Sequence, residues 1–442
     1  MDPSPLLRWI SSKFMSRMAD LQRRDREREK VEALRLKSGK RHCVEYFHQV
    51  EDAYSHLAVQ LLPELASRYD VDIVCHLTRG PSEKNAPEPA LLLDLARRDA
   101  AAIAPHYQLQ FPETTSAPDD DLVRQARRIL ANAAGDSLIE RMPVVGDALF
   151  RGDAQRLAEL AGTWGEASLE VTAERLDGGS ARRSELGHYS GAMFFYGGEW
   201  YWGVDRFYHL EARLVSLGVH FADQKLIAPR PAIESGPAKD TGTLTLEFYP
   251  SLRSPYTSMI FDETLRLAEL TGVNLVVRPV LPMVMRGVPA TRQKGQYIMS
   301  DAAREAHALG VSWGSIYDPI GNPVRRAYSL YPWALAEGKG NELLRCFLKA
   351  AFCDGINTNN NRGLRQVVEA AGLSWEQAQK HLDDPVWESL IEANRLAMYE
   401  FGCWGVPSYR LLDADGQTVL ALWGQDRLWL FAREIQRCLA DR

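Results

Sequence analysis

Short apolar runs divide the chain, and each is followed by a longer stretch whose apolar residues recur with helical spacing. In the first half the predicted elements are a strand at HCVEYFHQV, a helical stretch at AYSHLAVQLLPELASRY, a second strand at VDIVCHLT, a mostly helical segment over 84–185, and a hairpin at AMFFYGGEWYWGVDR. The hairpin is predicted to turn at Gly197-Gly198 and to lead into a last helix. The first half is therefore predicted to contain a β-α-β unit, a helical insertion, a hairpin and a closing helix.

The same order of patterns returns in the second half. VEYF (44–47) corresponds to LEFY (246–249), and VDIV (71–74) to VNLV (273–276), both at an offset of 202 residues. A second hairpin, SYRLLDADGQTVLALWG, is predicted to turn at Asp415-Gly416. The first crossover makes two strands parallel and the hairpin adds antiparallel ones, so each half predicts a small mixed sheet flanked by helices. We interpret the chain as a tandem duplication of an α/β domain.

Changes in composition set the predicted boundaries. They are a charged amphipathic helix at 1–40, a first domain at 41–225, a linker at 226–242 that is rich in Pro, Gly and small polar residues, and a second domain at 243–442. In the N-terminal helix Leu6, Ile10, Phe14 and Met18 fall roughly on one face. This face predicts packing on the body of the protein or on a partner subunit; attachment to an anionic membrane surface is the alternative.

Charge and composition argue against several classes of protein. The 442 residues carry a net charge of −6, which gives no general attraction to nucleic acid. No run of eighteen apolar residues predicts a transmembrane helix, and the N-terminus lacks the continuous apolar core of a secretory signal. The 6 cysteines show neither CxxC pairing nor metal-ligand spacing, which predicts free thiols, no metal and a cytoplasmic location.

Five segments of the second half, in order, carry a family resemblance. They are SPYT (254–257), KGQYIMSDAAREAHALGV (294–311), AAFCDGINTNNNRGLRQVVEAAGL (350–373), FGCWGVPSY (401–409) and WGQDRLWL (423–430). They resemble the DsbA-like thioredoxin-fold proteins, and within these the 2-hydroxychromene-2-carboxylate isomerases and kappa-class glutathione transferases. The resemblance covers nearly all of 244–440. It implies two tandem thioredoxin-like domains, each with a helical insertion, of which the first is a degenerate copy.

Ser254 is the candidate catalytic residue. A serine that ends a strand before Pro255 is typical of a helix N-cap. The same position would let its hydroxyl and the free N–H groups of the helix stabilise an anion such as a thiolate. The resemblance implies that this serine donates a hydrogen bond to the sulfur of bound glutathione. Because SPYT contains no cysteine, the protein has no nucleophile there for disulfide exchange.

The remaining candidate residues are expected to bind glutathione, and each also has a structural explanation. The resemblance implies that Val406, before a cis Pro407, presents its backbone to the cysteinyl unit; an ordinary turn proline is the alternative. It implies that Gln425 and Asp426 bind the γ-glutamyl end, although an Asp there also suits a helix N-terminus. Lys294 is a candidate for the glycyl carboxylate or an acidic substrate, or is a solvated lysine.

Two departures from the family pattern stand out. Arg286-Gly287 lies where family members carry a Gly-Asn pair whose Asn touches the ligand. In the first copy Asp52 takes the place of the serine, and Met193 takes the place of the proline. An ionised Asp52 would repel a thiolate, so we interpret the first copy as a structural or partner domain.

The favoured expectation is a glutathione-dependent isomerase or transferase. Its active site would lie in the second domain, and its substrate is expected to be an unsaturated, carboxylated electrophile. A homodimer is left open. The rival hypothesis is a non-catalytic binding or scaffold protein. A DsbA-type thiol oxidoreductase is disfavoured by the missing CxxC.

Overall fold

The computed structural model describes residues 2–82, 84–112, 116–222, 225–288 and 290–440. The chain divides into two compact units. The first unit comprises Arg24–Pro231 with Thr291–Lys294, and the second comprises Met1–Arg23, Ala232–Ala290 and Gly295–Arg442.

The N-terminal region is two helices, α1 (Pro5–Ala19) and α2 (Leu21–Ser38), and the prediction of a single helix over 1–40 is wrong. Asp20 lies between them with extended dihedrals (φ −73°, ψ 107°). Its Oδ1 accepts hydrogen bonds from the backbone N–H groups of Gln22 and Arg23, at 2.9 and 3.2 Å. A carboxylate that accepts in this way starts a new helix, which the charge-dense sequence around it did not reveal.

Helix α1 packs on the rest of the second unit through a mixed face that buries Arg8, Ser12, Met15 and Ala19. Arg8 is 1% exposed and donates from Nη1 to the carbonyl oxygens of Asp318 and Ile320, at 2.8 and 2.6 Å. Ser12 Oγ accepts from the N–H of Asp318 at 2.9 Å. Of the apolar residues expected to form the packing face, Leu6, Ile10 and Phe14 are exposed, with Leu6 at 65%, and Met18 is half-buried. Hydrogen bonds to an irregular loop therefore decide which face of α1 is buried.

In its described residues the first unit contains a four-stranded sheet and eight α-helices after α2. In chain order they are β1 (Cys43–Gln49), α3 (Ala53–Val59), α4 (Leu62–Arg68), β2 (Asp72–Thr78), α5 (Pro89–Ile103), α6 (Asp120–Ala131), α7 (Asp136–Phe150), α8 (Ala154–Trp164), α9 (Leu169–Glu185), β3 (Met193–Tyr196), β4 (Glu199–Trp202) and α10 (Phe207–Ser216). The helices α5 to α9 form the predicted insertion, and β3 and β4 form the hairpin predicted at Gly197-Gly198.

The second unit repeats this order of strands. Its elements are β5 (Thr245–Tyr249), α11 (Pro255–Thr271), β6 (Asn274–Val277), α12 (Arg292–Ala308), α13 (Asn322–Ala336), α14 (Gly340–Phe352), α15 (Asn361–Ala370), α16 (Trp375–Ala378), α17 (Val386–Glu400), β7 (Ser408–Leu412), β8 (Thr418–Trp423) and α18 (Leu428–Ala440). Within the described residues, no helix combines the length and the apolar character needed to cross a membrane.

The two sheets have the same topology. Their strand orders are β2-β1-β3-β4 and β6-β5-β7-β8, with the first pair parallel and the other two pairs antiparallel in each. The register agrees as well, since Cys43 pairs with Asp72 and Thr245 with Asn274. Each sheet places the carboxyl end of its central strand, β1 or β5, directly before a helix N-terminus. A common ancestor for the two units stays a prediction.

A buried glutamate occupies the centre of the second sheet. Glu247 on β5 is 2% exposed, and its carboxylate accepts from Arg278 Nε at 2.7 Å and from Arg410 Nε at 2.6 Å. Tyr249 donates to the same carboxylate at 2.9 Å. Burial alone would raise the pKa of Glu247, but these donors outweigh it and lower the pKa below its usual value. The carboxylate is therefore ionised inside the sheet.

Candidate functional site

Ser254 lies at the start of α11, as predicted from Ser254-Pro255. Its dihedrals are extended (φ −91°, ψ 117°), and its Oγ accepts from the N–H of Thr257 at 3.1 Å. Pro255 occupies the first turn, where its missing N–H costs nothing. Ser254 is therefore a helix N-cap, and it is 7% exposed. The cap fixes the hydroxyl oxygen at the positive end of a helix of 17 residues.

A loop before β7 faces this hydroxyl. The Val406–Pro407 peptide is cis, as predicted, and the Val406 carbonyl oxygen accepts from Ser254 Oγ at 3.4 Å. On the other side the Pro407 carbonyl accepts from the N–H of Gly424 at 2.9 Å. A Cβ on Gly405 would lie 2.1 Å from Cε2 of Trp423, so only glycine allows this loop to approach the ring. The structure thus brings Ser254, Val406, Pro407 and the segment after β8 together.

Gln425 and Asp426 lie in a 3-10 turn, Gln425–Arg427, between β8 and α18. The Gln425 side chain is 2% exposed and donates from Nε2 to Glu305 Oε2 at 2.8 Å. Asp426 is more accessible, with its side chain 21% exposed and Oδ1 3.6 Å from Arg427 Nη1. Of the two, only the Asp426 carboxylate has appreciable solvent exposure. No pattern in the sequence indicates that Gln425 is hydrogen-bonded to a buried glutamate 120 residues earlier.

Lys294 is not placed with these residues. It belongs to the first unit, where Nζ donates to the carbonyl oxygen of Asn85 at 3.0 Å. Burial lowers the pKa of Lys294 from its usual value. Its expected contact with a glycyl carboxylate stays a prediction.

Arg286 is a half-buried cation that the sequence marked only as a departure from the family pattern. Its Nη2 donates to the carbonyl oxygen of Trp404 at 3.0 Å, two residues before Val406. Its Nε and Nη1 are buried and have no hydrogen-bond partner in the described part of the chain. Burial lowers the pKa of Arg286 from its usual value. A guanidinium with spare donors at this loop suits an anion such as a carboxylate.

The corresponding place in the first unit is built around an acid. Asp52 is the N-cap of α3, and its Oδ2 accepts from the N–H and the Oγ of Ser55 at 2.9 and 2.7 Å. Ser55 Oγ in turn accepts from the N–H of Ala192 at 2.8 Å. Burial raises the pKa of Asp52 to about 6, although the hydrogen bonds from Ser55 oppose the rise. The Ala192–Met193 peptide is trans, as predicted.

The cysteines show no sign of activation. All 6 are free thiols, and burial raises the pKa of Cys353 in the second unit to about 11. A thiol with a raised pKa is a poor nucleophile at neutral pH. In the described ranges no group of three or more His, Cys, Asp or Glu residues could hold a metal ion.

Several solved structures are similar to part of this chain at low sequence identity. A probable DsbA oxidoreductase from Streptomyces coelicolor is 19% identical and covers 45% of this chain and 91% of its own, with a TM-score of 0.36. A 2-hydroxychromene-2-carboxylate isomerase is 19% identical over 45% of this chain and 97% of its own, with a TM-score of 0.38. The cytosolic disulfide reductase DsbM from Pseudomonas aeruginosa is 18% identical over 44% of this chain and 99% of its own, with a TM-score of 0.34. Such low TM-scores carry no conclusion about activity.

One family of related sequences matches most of the second unit. Among curated proteins nothing matches the chain. The DSBA-like thioredoxin domain family matches residues 245–436, which begin at β5 and end within α18. The matched range includes Ser254, the Val406–Pro407 loop and Asp426. Residues 245–436 of this chain form a DSBA-like thioredoxin domain.

Proposed function

We propose that the second unit binds glutathione and acts as an isomerase or transferase on an unsaturated, carboxylated small molecule. The observation that carries the proposal is the position of Ser254 Oγ, at the N-terminus of α11 and facing the Val406 carbonyl across the cis-proline loop. Family members without a thiol of their own need one from a cofactor, and glutathione supplies a sulfur nucleophile that adds to an electrophilic carbon. The free thiols of the chain suit a reducing location such as the cytoplasm.

The donors and acceptors around Ser254 fit the groups of glutathione. The N–H of Val406 has no hydrogen-bond partner in the described residues, so it is available to a peptide carbonyl. The Asp426 carboxylate is accessible and has the charge to bind an α-ammonium group. Gln425 contributes less than expected, because its amide donor is bound to Glu305.

Ser254 would act by holding negative charge on sulfur. Its Oγ keeps accepting from Thr257, while its own proton makes only a long contact of 3.4 Å to Val406 and can turn to an anion. The helix N-terminus adds roughly half a positive elementary charge at the same place. Both effects favour the thiolate over the thiol, so the pKa of a bound thiol is expected to fall.

Arg286 would select the substrate. Its Nε and Nη1 have no hydrogen-bond partner among the described residues, and either can donate to a carboxylate oxygen. This contact would hold an acidic electrophile beside the cis-proline loop. The hydrogen bond from Arg286 to the Trp404 carbonyl already attaches the guanidinium to that loop. Neither an isomerase nor a transferase reaction of this kind needs an oxidant or a reductant.

Calorimetric titration with glutathione tests the binding. We expect saturable binding by the wild type, weaker binding by Asp426→Asn, and unchanged binding by Asp52→Asn in the first unit, which is the matched control. Thiolate absorbance of the bound cofactor should appear at lower pH in the wild type than in Ser254→Ala. Absence of glutathione binding would contradict the proposal and favour the scaffold hypothesis. Reduction of insulin by the chain would instead favour a thiol oxidoreductase.

A further inference from the structure

Helix α1 presents an apolar surface to solvent that the proposed function does not use. Because successive residues of a helix turn by about 100°, this surface lies opposite the side that buries Arg8 and Ser12. Contiguous apolar surface of this kind commonly marks a site of interaction. We call it the α1 apolar face; its five side chains are 44–65% exposed and belong to Leu6, Leu7, Trp9, Ile10 and Phe14.

Hydrogen bonds fix the orientation that exposes the α1 apolar face. Arg8 donates to two carbonyl oxygens of a loop in the second unit, and one turn later Ser12 Oγ accepts from the N–H of Asp318 at 2.9 Å. A further turn on, Ser16 Oγ accepts from the N–H of Ile316 at 2.9 Å. Three successive turns are bound in this way, so α1 cannot roll to bury its apolar face without breaking these hydrogen bonds.

Two cations lie within the α1 apolar face. Lys13 and Arg17 are exposed, and their helical positions fall between those of the apolar residues. Lys13 Nζ lies 6.0 Å from the centre of the Trp9 ring. The sequence has no acidic residue between Asp2 and Asp20 that could balance these charges. A purely apolar partner would therefore bury two cations without a counter-charge, whereas an anionic partner would pair with them.

We propose that the α1 apolar face binds the surface of a bilayer that contains anionic lipids. The helix would lie in the plane of the membrane, with Ile10 and Phe14 among the acyl chains just below the headgroups. The side chains of Lys13 and Arg17 are long enough to reach the lipid phosphates while their stems stay among apolar groups. Trp9 combines an apolar ring with one N–H, which favours the level of the headgroups.

The size and charge of the α1 apolar face argue against a second copy of the chain as its partner. A helix of 15 residues is about 22 Å long and about 10 Å wide, so this face is smaller than the about 800 Å² that each partner buries in a stable protein complex. In a symmetric pair the same surfaces meet, so Lys13 and Arg17 would lie against their own counterparts. A membrane surface imposes neither restriction.

Vesicle flotation with the full chain tests the proposal. We expect the wild type to bind vesicles of phosphatidylcholine that contain one third phosphatidylglycerol, to bind vesicles of phosphatidylcholine alone only weakly, and to be released by salt. The double variant Ile10→Asp/Phe14→Asp should lose binding, because it places two carboxylates against the headgroups. Val386→Asp/Leu396→Asp is the matched control, since it makes the same change in charge at side chains of α17 that are 60% and 51% exposed.

The double variant Lys13→Gln/Arg17→Gln measures the contribution of charge. Each basic residue near an anionic surface strengthens binding about fivefold, so this variant should bind the mixed vesicles roughly 25-fold more weakly. All the substituted side chains are exposed, and melting curves establish that each variant folds. The wild-type preference for the mixed vesicles needs no variant at all.

Four results would each overturn the proposal. They are no binding of the wild type to the mixed vesicles, equal binding to both kinds of vesicle, full binding by Ile10→Asp/Phe14→Asp, and full binding by Lys13→Gln/Arg17→Gln. Sedimentation without vesicles tests the alternative partner. A dimer of the wild type that Ile10→Asp/Phe14→Asp abolishes would make this face an interface between copies of the chain, and would also overturn the proposal.

Discussion

Replacing Asp52 by asparagine should stabilise the first unit at neutral pH. Burial raises the pKa of Asp52 from 3.8 to about 6, so ionising it costs more in the folded state than in the unfolded chain. One pKa unit corresponds to about 1.4 kcal/mol, which sets an upper bound of about 3 kcal/mol. Water still reaches part of the side chain, so we expect a gain of about 1–2 kcal/mol.

The raised pKa of Asp52 also determines how the stability difference between the two proteins depends on pH. A carboxyl group with a raised folded-state pKa contributes its stability below its unfolded pKa of 3.8 and loses it as pH rises through about 6. Asparagine stays neutral and can still accept from the N–H and Oγ of Ser55. The two proteins should therefore be similar near pH 4, and the advantage of Asp52→Asn should grow up to about pH 7.

Urea unfolding between acidic and neutral pH measures this difference. Hydrogen exchange in peptides from β1 and β3 reports on the first unit alone, because a chain of two compact units need not unfold in one transition. Asp177→Asn is the control, since Asp177 is exposed and its pKa is lowered by Arg79. That variant should gain no stability at neutral pH. A stability difference for Asp52→Asn that does not change with pH would refute the reasoning.

Three further outcomes are expected. Ser254→Ala should lower kcat/KM with glutathione about 100-fold to 1000-fold, which is the loss typical of removing one donor to developing charge. The lost helix cap should lower the free energy of unfolding, measured by thermal melting, by only about 1 kcal/mol. An equal loss of kcat/KM in Asp52→Ala would contradict this assignment. Arg286→Met should raise KM for a carboxylated substrate but not for a neutral electrophile; an equal rise in KM for both substrates would contradict this role. Gly405→Ala should lower the melting temperature, because its Cβ would collide with Trp423; an unchanged Tm would show that the loop can move.

Local patterns sufficed for the strands, the hairpins and the serine cap. Ser254-Pro255 predicts an N-cap from two residues, and Asp415-Gly416 lies in the turn between β7 and β8 as expected. These features depend on neighbours in sequence, so a sequence contains the information for them.

Features that depend on distant residues were not predictable in this way. The family resemblance implies that Gln425 binds a ligand, and the hydrogen bond from its amide to Glu305, 120 residues away, depends on packing that no short pattern reveals. The apolar face of α1 looked like the buried one, yet hydrogen bonds from Arg8 to the 318–320 loop turn it outward. A cavity of about 210 Å³ in the first unit likewise combines Asp52 with residues of α5 and Trp202, which no short pattern connects.

The buried carboxylate of Glu247 has a consequence for how the strands of the second sheet find their partners. Leu246 and Phe248 are 0% exposed, and they point to the face opposite that of Glu247 and Tyr249. Glu247 lies directly across from Arg410, so a slip of β5 by one residue would move the carboxylate among apolar side chains and away from Arg410. A buried charge that loses its partner costs about 3–5 kcal/mol. Misaligned pairings of these strands are therefore less stable than the native pairing. Glu247 adds little net stability, but it selects a single alignment of the strands during folding.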